Sequence, residues 1–413
     1  SNNNNNNKKK MYPPTFVEGW SDLESIQKIQ YNRLGHTDMY VSLISFGAAH
    51  VGRNCSLSII NDDKNQQTTT MIDCNIIKQR EAVIDTICEA IRLGINLVDT
   101  SPFYGMGLSQ IIVGQALKKI PRKSYYLSTK VGRHSDCTFD YSRKAIVKSI
   151  DNSLKTLNVD YIDILYVHDV EFCPSIEMLL NETLPELERL RLLGKIRYIG
   201  ISGYPLSLIR EILEKSSIQI NVILSYCRYS LWDNELINYL DYFKSKNIGI
   251  INAAIFGMGL LANDNSTEIP KWHPASEKIK NRCQLARKIC MANGSIPLTR
   301  LAIRYSLLEK RIDTHLIGME SLDIVKSNLS VIKESNDNYI HHEIELLDLI
   351  LQQAFEKSIM QTSSSSSSTL NENWEQVEVD RYHENPEKFI QFLCQCWSGT
   401  CQSNQIKNFT TKK

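Results

Sequence analysis

Long apolar runs, a charge excess and a glycine-rich nucleotide-binding motif are all missing from this sequence. No window approaches the run of about 18 apolar residues that a bilayer span needs, so we expect no membrane span. Lysine and arginine (47) balance aspartate and glutamate (46), and the net charge of +1 gives no electrostatic reason to expect nucleic acid or anionic lipid as a partner. The asparagine- and lysine-rich start does not resemble a signal peptide, so we expect a cytoplasmic protein.

Cysteine occurs 11 times, an odd number, without the spacing of a disulfide framework. Several stand in apolar stretches, such as Cys88 in "VIDTICEAIRLG" and Cys290 in "LARKICMANG", a pattern typical of small buried side chains. Cys394, Cys396 and Cys401 lie close together near the end, but a fourth ligand at metal spacing is missing. We therefore expect reduced thiols and no metal site, with a structural zinc ion or lipidation of the tail as the alternatives.

Composition divides the chain into three parts. Residues 1–30 open with "SNNNNNNKKK" and are expected to form a disordered or irregular extension. Residues 31–357 alternate short apolar runs with amphipathic stretches of helical period, with one polar insertion at about 54–75. Residues 358–413 begin as a serine-rich linker and continue as a tail. We expect the tail to dock as a short helix or to stay loose, and the protein to fold and work without it.

Eight apolar runs, each followed by a helical stretch, predict repeated βα units. They are "YVSLISFG", "INLVDT", "YYLSTKVG", "YIDILYVH", "IRYIGIS", "INVILSYC", "IGIINAA" and "THLIGM". Eight such units predict an α/β fold with a closed (β/α)8, or TIM, barrel. An open doubly wound sheet is the alternative, and the missing Gly-x-Gly-x-x-Gly after the first strand argues against it.

Ionisable residues stand where three predicted strands end: Asp99 closes the second strand, Lys130 the third and His168 the fourth, and Tyr104 lies five residues after Asp99. Strand ends of a (β/α)8 barrel converge on the active site. A buried carboxylate needs a partner, and a lysine paired with it keeps its charge. That charge beside a phenol is expected to lower the tyrosine pKa from about 10 toward working pH. Each residue alone also fits a structural role, as a helix cap or a hydrogen-bonded core side chain.

The stretches "DTSPFYG", "STKVG" and "LYVHD" resemble the aldo-keto reductase family, over a range from about Arg33 to about residue 355. "VHDVEF", "VILSYCRYSLWD", "KWHPAS" and "LIGMESLDIVKSNL" are similar to its L-galactose dehydrogenase branch. The resemblance implies that Tyr104 exchanges a proton with the substrate oxygen and that Lys130, held by Asp99, tunes it. It also implies that His168 orients the substrate and that a nicotinamide cofactor carries the hydride.

The resemblance further implies contacts to the nicotinamide ring. Tyr226, at the end of the sixth strand, matches the tyrosine on which the ring stacks, and Ser202, after the fifth, matches a residue that holds the ring amide. Gly203 and Ile223 stand where the family usually has an asparagine and a glutamine.

After the eighth strand, Gly318 and Ile324 align with the lysine and arginine that clasp the extra phosphate in NADP-preferring members, and Glu320 lies close by. Asn328 is a further implied cofactor contact. Losing two charged hydrogen bonds and meeting a carboxylate disfavours NADP by about a few kcal/mol, so NAD is the expected cofactor. Lys326 would reach the phosphate if the loop shifted by one or two residues.

On this resemblance we expect an NAD-dependent oxidoreductase that oxidises an aldose, L-galactose to its 1,4-lactone, in carbohydrate metabolism and ascorbate biosynthesis. Its expected partner is a small sugar, and Trp272 and His273 are either substrate contacts or packing residues. The alternatives are an NADPH-dependent carbonyl reductase and a non-catalytic nucleotide-sensing accessory subunit. The intact set of four ionisable residues argues against the last alternative.

Overall fold

The computed structural model describes residues 12–51, 74–262, 273–334, 337–356 and 375–389, and a closed parallel barrel forms its centre. Strands β1 (Tyr31–Arg33) and β2 (Tyr40–Ser42) form an antiparallel hairpin. The barrel strands are β3 (Ile44–Gly47), β4 (Leu97–Asp99), β5 (Tyr126–Val131), β6 (Ile162–Val167), β7 (Ile196–Gly203), β8 (Val222–Tyr226), β9 (Gly249–Ala253) and β10 (Thr314–Gly318). They pair in chain order and β10 closes on β3, which confirms the predicted (β/α)8 barrel.

The first predicted strand, "YVSLISFG", is in fact two strands. Its first half belongs to the hairpin and only its second half enters the barrel. The division depends on Asn96, whose Oδ1 accepts a hydrogen bond from the Ser42 backbone N–H at 2.9 Å and whose amide nitrogen donates to the Tyr40 carbonyl at 2.7 Å. The other predicted strands coincide with barrel strands and differ only at their ends.

Helices follow the strands around the outside of the barrel. They are α1 (Leu23–Ile26), α2 (Cys74–Arg92), α3 (Leu108–Leu117), α4 (Arg143–Leu157), α5 (Ile176–Met178), α6 (Leu184–Leu192), α7 (Leu206–Lys215), α8 (Ile237–Ser245), α9 (Glu277–Ala292), α10 (Leu298–Ser306), α11 (Leu322–Lys333), α12 (Asp337–Phe355) and α13 (Glu375–Glu384). A π-helical turn, Leu179–Thr183, joins α5 to α6. Most of the predicted insertion at 54–75 lies outside the described residues.

Alternation along each strand separates the barrel interior from the layer beneath the helices. In β4, Leu97 and Asp99 face the interior while Val98 packs toward the helices, and in β5 Tyr126 and Lys130 face the interior. The interior is therefore apolar at the amino ends of the strands and ionisable at their carboxyl ends. The hairpin fills the amino end with Leu34, Met39 and Val41, all fully buried.

A cluster of three charged residues, Asp163, Arg122 and Arg197, ties three barrel strands together near the hairpin. The Asp163 carboxylate, 1% exposed, accepts hydrogen bonds from Arg122 at 2.6 Å and from Arg197 at 2.8 Å. It also accepts one from the Leu127 backbone N–H at 2.9 Å. Arg197 forms a second ion pair with Asp38, which is 68% exposed.

Segments before and after the βα units also pack against the barrel. Residues 12–30 are irregular apart from α1, but Ser25, Ile26 and Ile29 are buried and Asp22 pairs with Arg92 of α2 at 3.0 Å. Residues 1–11 lie outside the described residues. At the other end of the chain, α13 and residues 386–389 pack over the carboxyl ends of the strands, where Phe389 is 2% exposed.

No described helix is long and apolar enough to cross a membrane. Six cysteines of the described part of the chain are reduced, and four of these are buried: they are Cys88, Cys137, Cys173, Cys227, Cys283 and Cys290. The predicted cysteine cluster of the tail lies outside the described residues. Within the described ranges, no group of three or more potential ligands is arranged to hold a metal ion.

The charged cluster gives a stability prediction. Asp163→Ala leaves two cations and a buried backbone N–H without their acceptor, so the free energy of unfolding should fall by about 3 kcal/mol. Asp38→Ala removes an exposed partner of the same Arg197 and should cost less than about 1 kcal/mol. Urea unfolding followed by circular dichroism measures both. Equal losses in the two variants would contradict a stabilising role of the buried carboxylate.

Candidate active site

One cavity of about 610 Å³ opens at the carboxyl ends of the barrel strands. The four ionisable residues singled out in the sequence, Asp99, Tyr104, Lys130 and His168, all line it. Three of them end strands β4, β5 and β6 or follow them directly, so the parallel barrel itself brings them together.

Asp99 and Lys130 form an ion pair buried inside the barrel, each about 1% exposed. The second carboxylate oxygen of Asp99 accepts a hydrogen bond from the Ser128 hydroxyl at 2.7 Å, and the lysine Nζ also donates to the Thr100 carbonyl at 3.0 Å. Burial lowers the pKa of Lys130, but the charge of Asp99 and the neighbouring phenol outweigh burial and raise that pKa above its ordinary value. The lysine therefore stays charged in an apolar interior, and it is the partner that Asp99 needs.

Tyr104 lies on a tight turn directly before α3. The turn is possible because Gly105 and Gly107, at φ 56° and 93°, take left-handed conformations. The ring of Tyr104 lies 4.6 Å from the Lys130 Nζ. Burial nevertheless raises the pKa of Tyr104 to about 12, although the lysine lowers it. The expected lowering of this pKa is therefore wrong for the protein alone, because loss of hydration outweighs the charge of the lysine.

His168 stands edge-on to Tyr104, with 5.9 Å between ring centroids. Its Nδ1 lies 3.3 Å from the Ser101 hydroxyl. Burial, and then the positive charges of Lys130 and Arg133, hold the pKa of His168 well below its usual range. The imidazole is therefore neutral at physiological pH and offers a hydrogen bond without a charge.

A charged pair that the sequence did not single out lies beside this histidine. Asp169 and Arg133 both line the cavity and form an ion pair at 2.6 Å, and the guanidinium lies 3.6 Å from the Phe103 ring centroid. Asp169 has φ 46°, a left-handed conformation, and the Tyr141 hydroxyl donates to its carbonyl at 2.7 Å. The only signal in the sequence was position, since Asp169 follows His168 directly and Arg133 comes three residues after Lys130.

Ser202 and Tyr226 also line the cavity, as the resemblance implies. The Ser202 hydroxyl accepts a hydrogen bond from the Asp169 backbone N–H at 3.3 Å. The ring of Tyr226 packs edge-on against Tyr204, with 4.8 Å between centroids. Ile223 belongs to the apolar layer beneath the helices and does not line the cavity, so strand β8 offers no polar group at that position.

Gly203 has a structural reason to replace the usual asparagine. A Cβ at this position would lie 2.4 Å from the Glu171 carboxylate, whose other oxygen accepts a hydrogen bond from the Tyr204 backbone N–H at 3.2 Å. Glutamate therefore occupies the space that a larger side chain at residue 203 would need.

A further part of the cavity wall comes from the end of β10, the residues after it and α11, where Gly318, Glu320, Ile324 and Asn328 line the cavity. Among the described lining residues, this part of the wall carries no lysine or arginine. Lys326 does not line the cavity, and its charge acts on Glu89 of α2, whose pKa it helps to lower after the larger effect of Arg92.

The lining of the cavity offers groups suited to a nicotinamide dinucleotide. Ser202, Tyr226 and Asn328 line it together with the four ionisable residues. The amide nitrogen of Asn328 is buried and has no hydrogen-bond partner in the part of the chain that the structure describes, so it can donate to a bound acceptor. The residues implied for the cofactor thus share one continuous surface.

His273 is a structural residue. Its Nδ1 accepts a hydrogen bond from the Ala275 backbone N–H at 3.1 Å and its Nε2 donates to the Gly257 carbonyl at 2.9 Å. Burial lowers the pKa of His273 to about 4, so the ring is neutral. Both ring nitrogens are engaged in holding the loop after β9, while Trp272 lies outside the described residues.

Comparison with known proteins is consistent with this geometry. The sequence model described as the aldo/keto reductase family matches residues 76–348. The chain is 39% identical to "L-galactose dehydrogenase" of Arabidopsis thaliana over 310 residues, which cover 74% of this chain and 89% of that protein. It is 32% identical to "D-arabinose 1-dehydrogenase" of Saccharomyces cerevisiae over 297 residues, covering 68% and 86%.

Among solved structures, the holo form of an aldo-keto reductase from Bacillus halodurans superposes with a TM-score of 0.59 at 24% identity. The match covers 83% of this chain and 100% of that one. At this identity the likeness concerns the barrel fold alone.

Proposed function

Because the chain belongs to the aldo/keto reductase family and is an oxidoreductase, we propose that it oxidises an aldose at its anomeric carbon with NAD. The proposed reaction is that of L-galactose to its 1,4-lactone, a step of ascorbate biosynthesis. The names of two relatives, L-galactose dehydrogenase and D-arabinose 1-dehydrogenase, support this substrate class.

The observation in this structure that carries the sugar proposal is the Asp169–Arg133 pair beside His168. Both charged side chains line the cavity next to the site of proton transfer. An apolar aldehyde has no hydroxyl groups to offer this pair, whereas sugar hydroxyl groups both donate to carboxylates and accept from guanidinium groups. The pair therefore favours a polyhydroxyl substrate over an apolar carbonyl compound.

The four ionisable residues divide the proton transfer between them. Tyr104, as phenolate, takes the proton of the anomeric hydroxyl while the carbon–oxygen double bond of the lactone forms. Lys130, held by Asp99, stabilises the phenolate by its charge 4.6 Å from the ring centroid. The neutral His168 donates a hydrogen bond to the same substrate oxygen and fixes its position. NAD, held by the residues that line the cavity, would supply the acceptor for the hydride of the anomeric carbon.

Residues that line the cavity would hold the cofactor. Tyr226 offers a ring face for nicotinamide and Ser202 a hydroxyl for its amide, while Asn328 offers a buried donor on the wall formed by α11. Gly318, Ile324 and Glu320 provide no positive charge for a second phosphate, and this supports NAD as the cofactor.

The first prediction tests the proton-transfer residue. Tyr104→Phe should lower kcat for L-galactose oxidation by about 10² to 10⁴, because the ring remains but no group takes the proton. NADH binding, measured by fluorescence, should be retained. Tyr166→Phe is the matched control, since Tyr166 lies in the same interior 6.0 Å from Lys130 and its buried hydroxyl has no partner among the described residues. Equal activity of the two variants would exclude Tyr104 as the acid–base group.

The pH dependence follows from the raised pKa of Tyr104, about 12. Only the phenolate accepts a proton, so kcat/KM for the sugar should rise about tenfold per pH unit from pH 7 to 10 in the direction of oxidation. Reduction of the lactone should stay flat over this range, because Tyr104 remains protonated. His168, with its lowered pKa, should add no inflection near pH 6.5. The profile is measured with anomerically deuterated sugar, so that hydride transfer limits the rate, and a flat oxidation profile contradicts the assignment.

Cofactor choice and substrate are tested together by initial rates with NAD and NADP on a panel of L- and D-aldoses. With L-galactose, kcat/KM for NAD should exceed that for NADP at least about tenfold, or about 1.4 kcal/mol. Activity with small aldehydes and NADPH, but with no aldose, would favour the carbonyl-reductase alternative.

Two variants extend this cofactor test. Ile324→Arg should lower the ratio of kcat/KM for NAD to kcat/KM for NADP, because it adds a charged hydrogen-bond donor at an exposed position of the cavity wall. Lysine at Gly318 is a less suitable test, because its Cβ would lie 3.2 Å from the His50 Nδ1. Lys326→Ala is the control and should leave kcat/KM unchanged for both NAD and NADP. A selective loss of NADP activity in Lys326→Ala would identify this lysine as a phosphate ligand.

A further inference from the structure

The C-terminal segment, residues 375–389, is fastened to the mouth of the cavity by an aromatic clasp of Phe139, Phe172, Tyr382 and Phe389. Phe139 and Phe172 belong to the loops after β5 and β6, and their rings stack at 4.5 Å between centroids. Phe389 lies parallel to Phe172 at 5.9 Å, and Tyr382 contacts Phe139 edge-on at 5.0 Å. These rings hold the segment against two loops that follow strands of the candidate active site.

Glu378 projects from the same face of α13 as Tyr382, because the two residues are four positions apart. It is 7% exposed and lines the cavity together with Phe389. The clasp therefore sets a carboxylate into the wall of the pocket. No motif or spacing predicts this contact, and the segment lies beyond residues 76–348, which the family model matches.

Glu378 lines the same cavity as Arg133 and Tyr226. The pKa of Arg133 is lowered by burial but raised above its ordinary value by Asp169 and, more weakly, by Glu378. The pKa of Tyr226 is raised first by burial and also by Cys227 and Glu378. The Glu378 carboxylate therefore lies within electrostatic range of both Arg133 and the tyrosine proposed to carry the nicotinamide ring.

A carboxylate in this position suits one class of ligand. It accepts hydrogen bonds and donates none, and it adds a carboxylate acceptor to a cavity that Asp169 also lines. An aldose held by its anomeric hydroxyl at Tyr104 carries further hydroxyl groups that can donate to such acceptors, whereas a two- or three-carbon carbonyl compound carries few or none.

We propose that Glu378 is a substrate-binding residue and that the C-terminal segment completes the sugar pocket, its carboxylate accepting hydrogen bonds from hydroxyl groups remote from the anomeric carbon. This inference rests on the proposed function of the same site. It leads to the opposite outcome from the expectation that the protein works without its tail, because the segment brings a pocket residue with it.

The test uses Glu378→Gln in the full chain, with Glu384→Gln as the matched control, since Glu384 is exposed on the same helix. Glu378→Gln should raise KM for L-galactose about tenfold or more, with kcat changed less than about threefold, because a charged hydrogen bond to substrate is weakened away from the reacting carbon. The Kd for NADH and the kinetics of glyceraldehyde reduction should not change. Glu384→Gln should match the unmodified protein in every measurement.

Phe389→Ala provides a second, independent variant, because it loosens the clasp without touching the carboxylate. It should raise KM for L-galactose as Glu378→Gln does. The KM of the double variant should not exceed that of the single variant with the higher KM. An unchanged KM in Glu378→Gln overturns the proposal. Tighter NADH binding in both variants also overturns it, since the segment would then occupy the cofactor's place. If the unmodified protein reduces glyceraldehyde but oxidises no aldose, the proposed function itself fails.

Discussion

The buried ion pair of Lys130 and Asp99 places a positive charge beside the phenol of Tyr104. Neither charge would persist alone in an apolar barrel, so each depends on the other. The lysine lowers the pKa of both Tyr104 and His168, although burial has the larger effect on each. For Tyr104 the lysine favours the phenolate against the effect of burial, and for His168 it adds to burial in favouring the neutral imidazole.

The barrel separates this site from the interactions that hold its strands together. Asp163 and its arginines lie near the hairpin, at the amino ends of β5, β6 and β7, whereas the ionisable residues of the cavity lie at the carboxyl ends. The two sets of charged groups have different surroundings. At the amino ends, the carboxylate of Asp163 accepts hydrogen bonds from arginines and a backbone N–H, whereas the charged groups at the carboxyl ends line a cavity that is open to ligands. Loops at the carboxyl end can therefore vary without disturbing the packing at the amino end.

Features of the fold and the site that have a local sequence pattern can be predicted from the sequence, whereas features that depend on contacts between distant residues cannot. The barrel strands and their terminal Asp99, Lys130 and His168 follow from apolar runs and the residues that end them. The division of "YVSLISFG" depends on Asn96, which is far along the chain from Ser42. The pKa of Tyr104 depends on burial, which no spacing of residues reveals. Glu378 belongs to a segment that aromatic rings from separate loops hold at the cavity. No periodic pattern in the sequence predicts such a contact.

Closure of the barrel joins the beginning of the chain to a strand near its end. Strand β3 has β10 as one neighbour, with His315 opposite Ile44 and Gly318 opposite Gly47. During synthesis, the first barrel strand therefore waits with one edge unpaired until residues 314–318 have been made. A chain that terminates earlier keeps two open strand edges. Truncated products of this protein should accordingly be more prone to aggregation than the complete chain, even when they contain all four ionisable residues of the cavity.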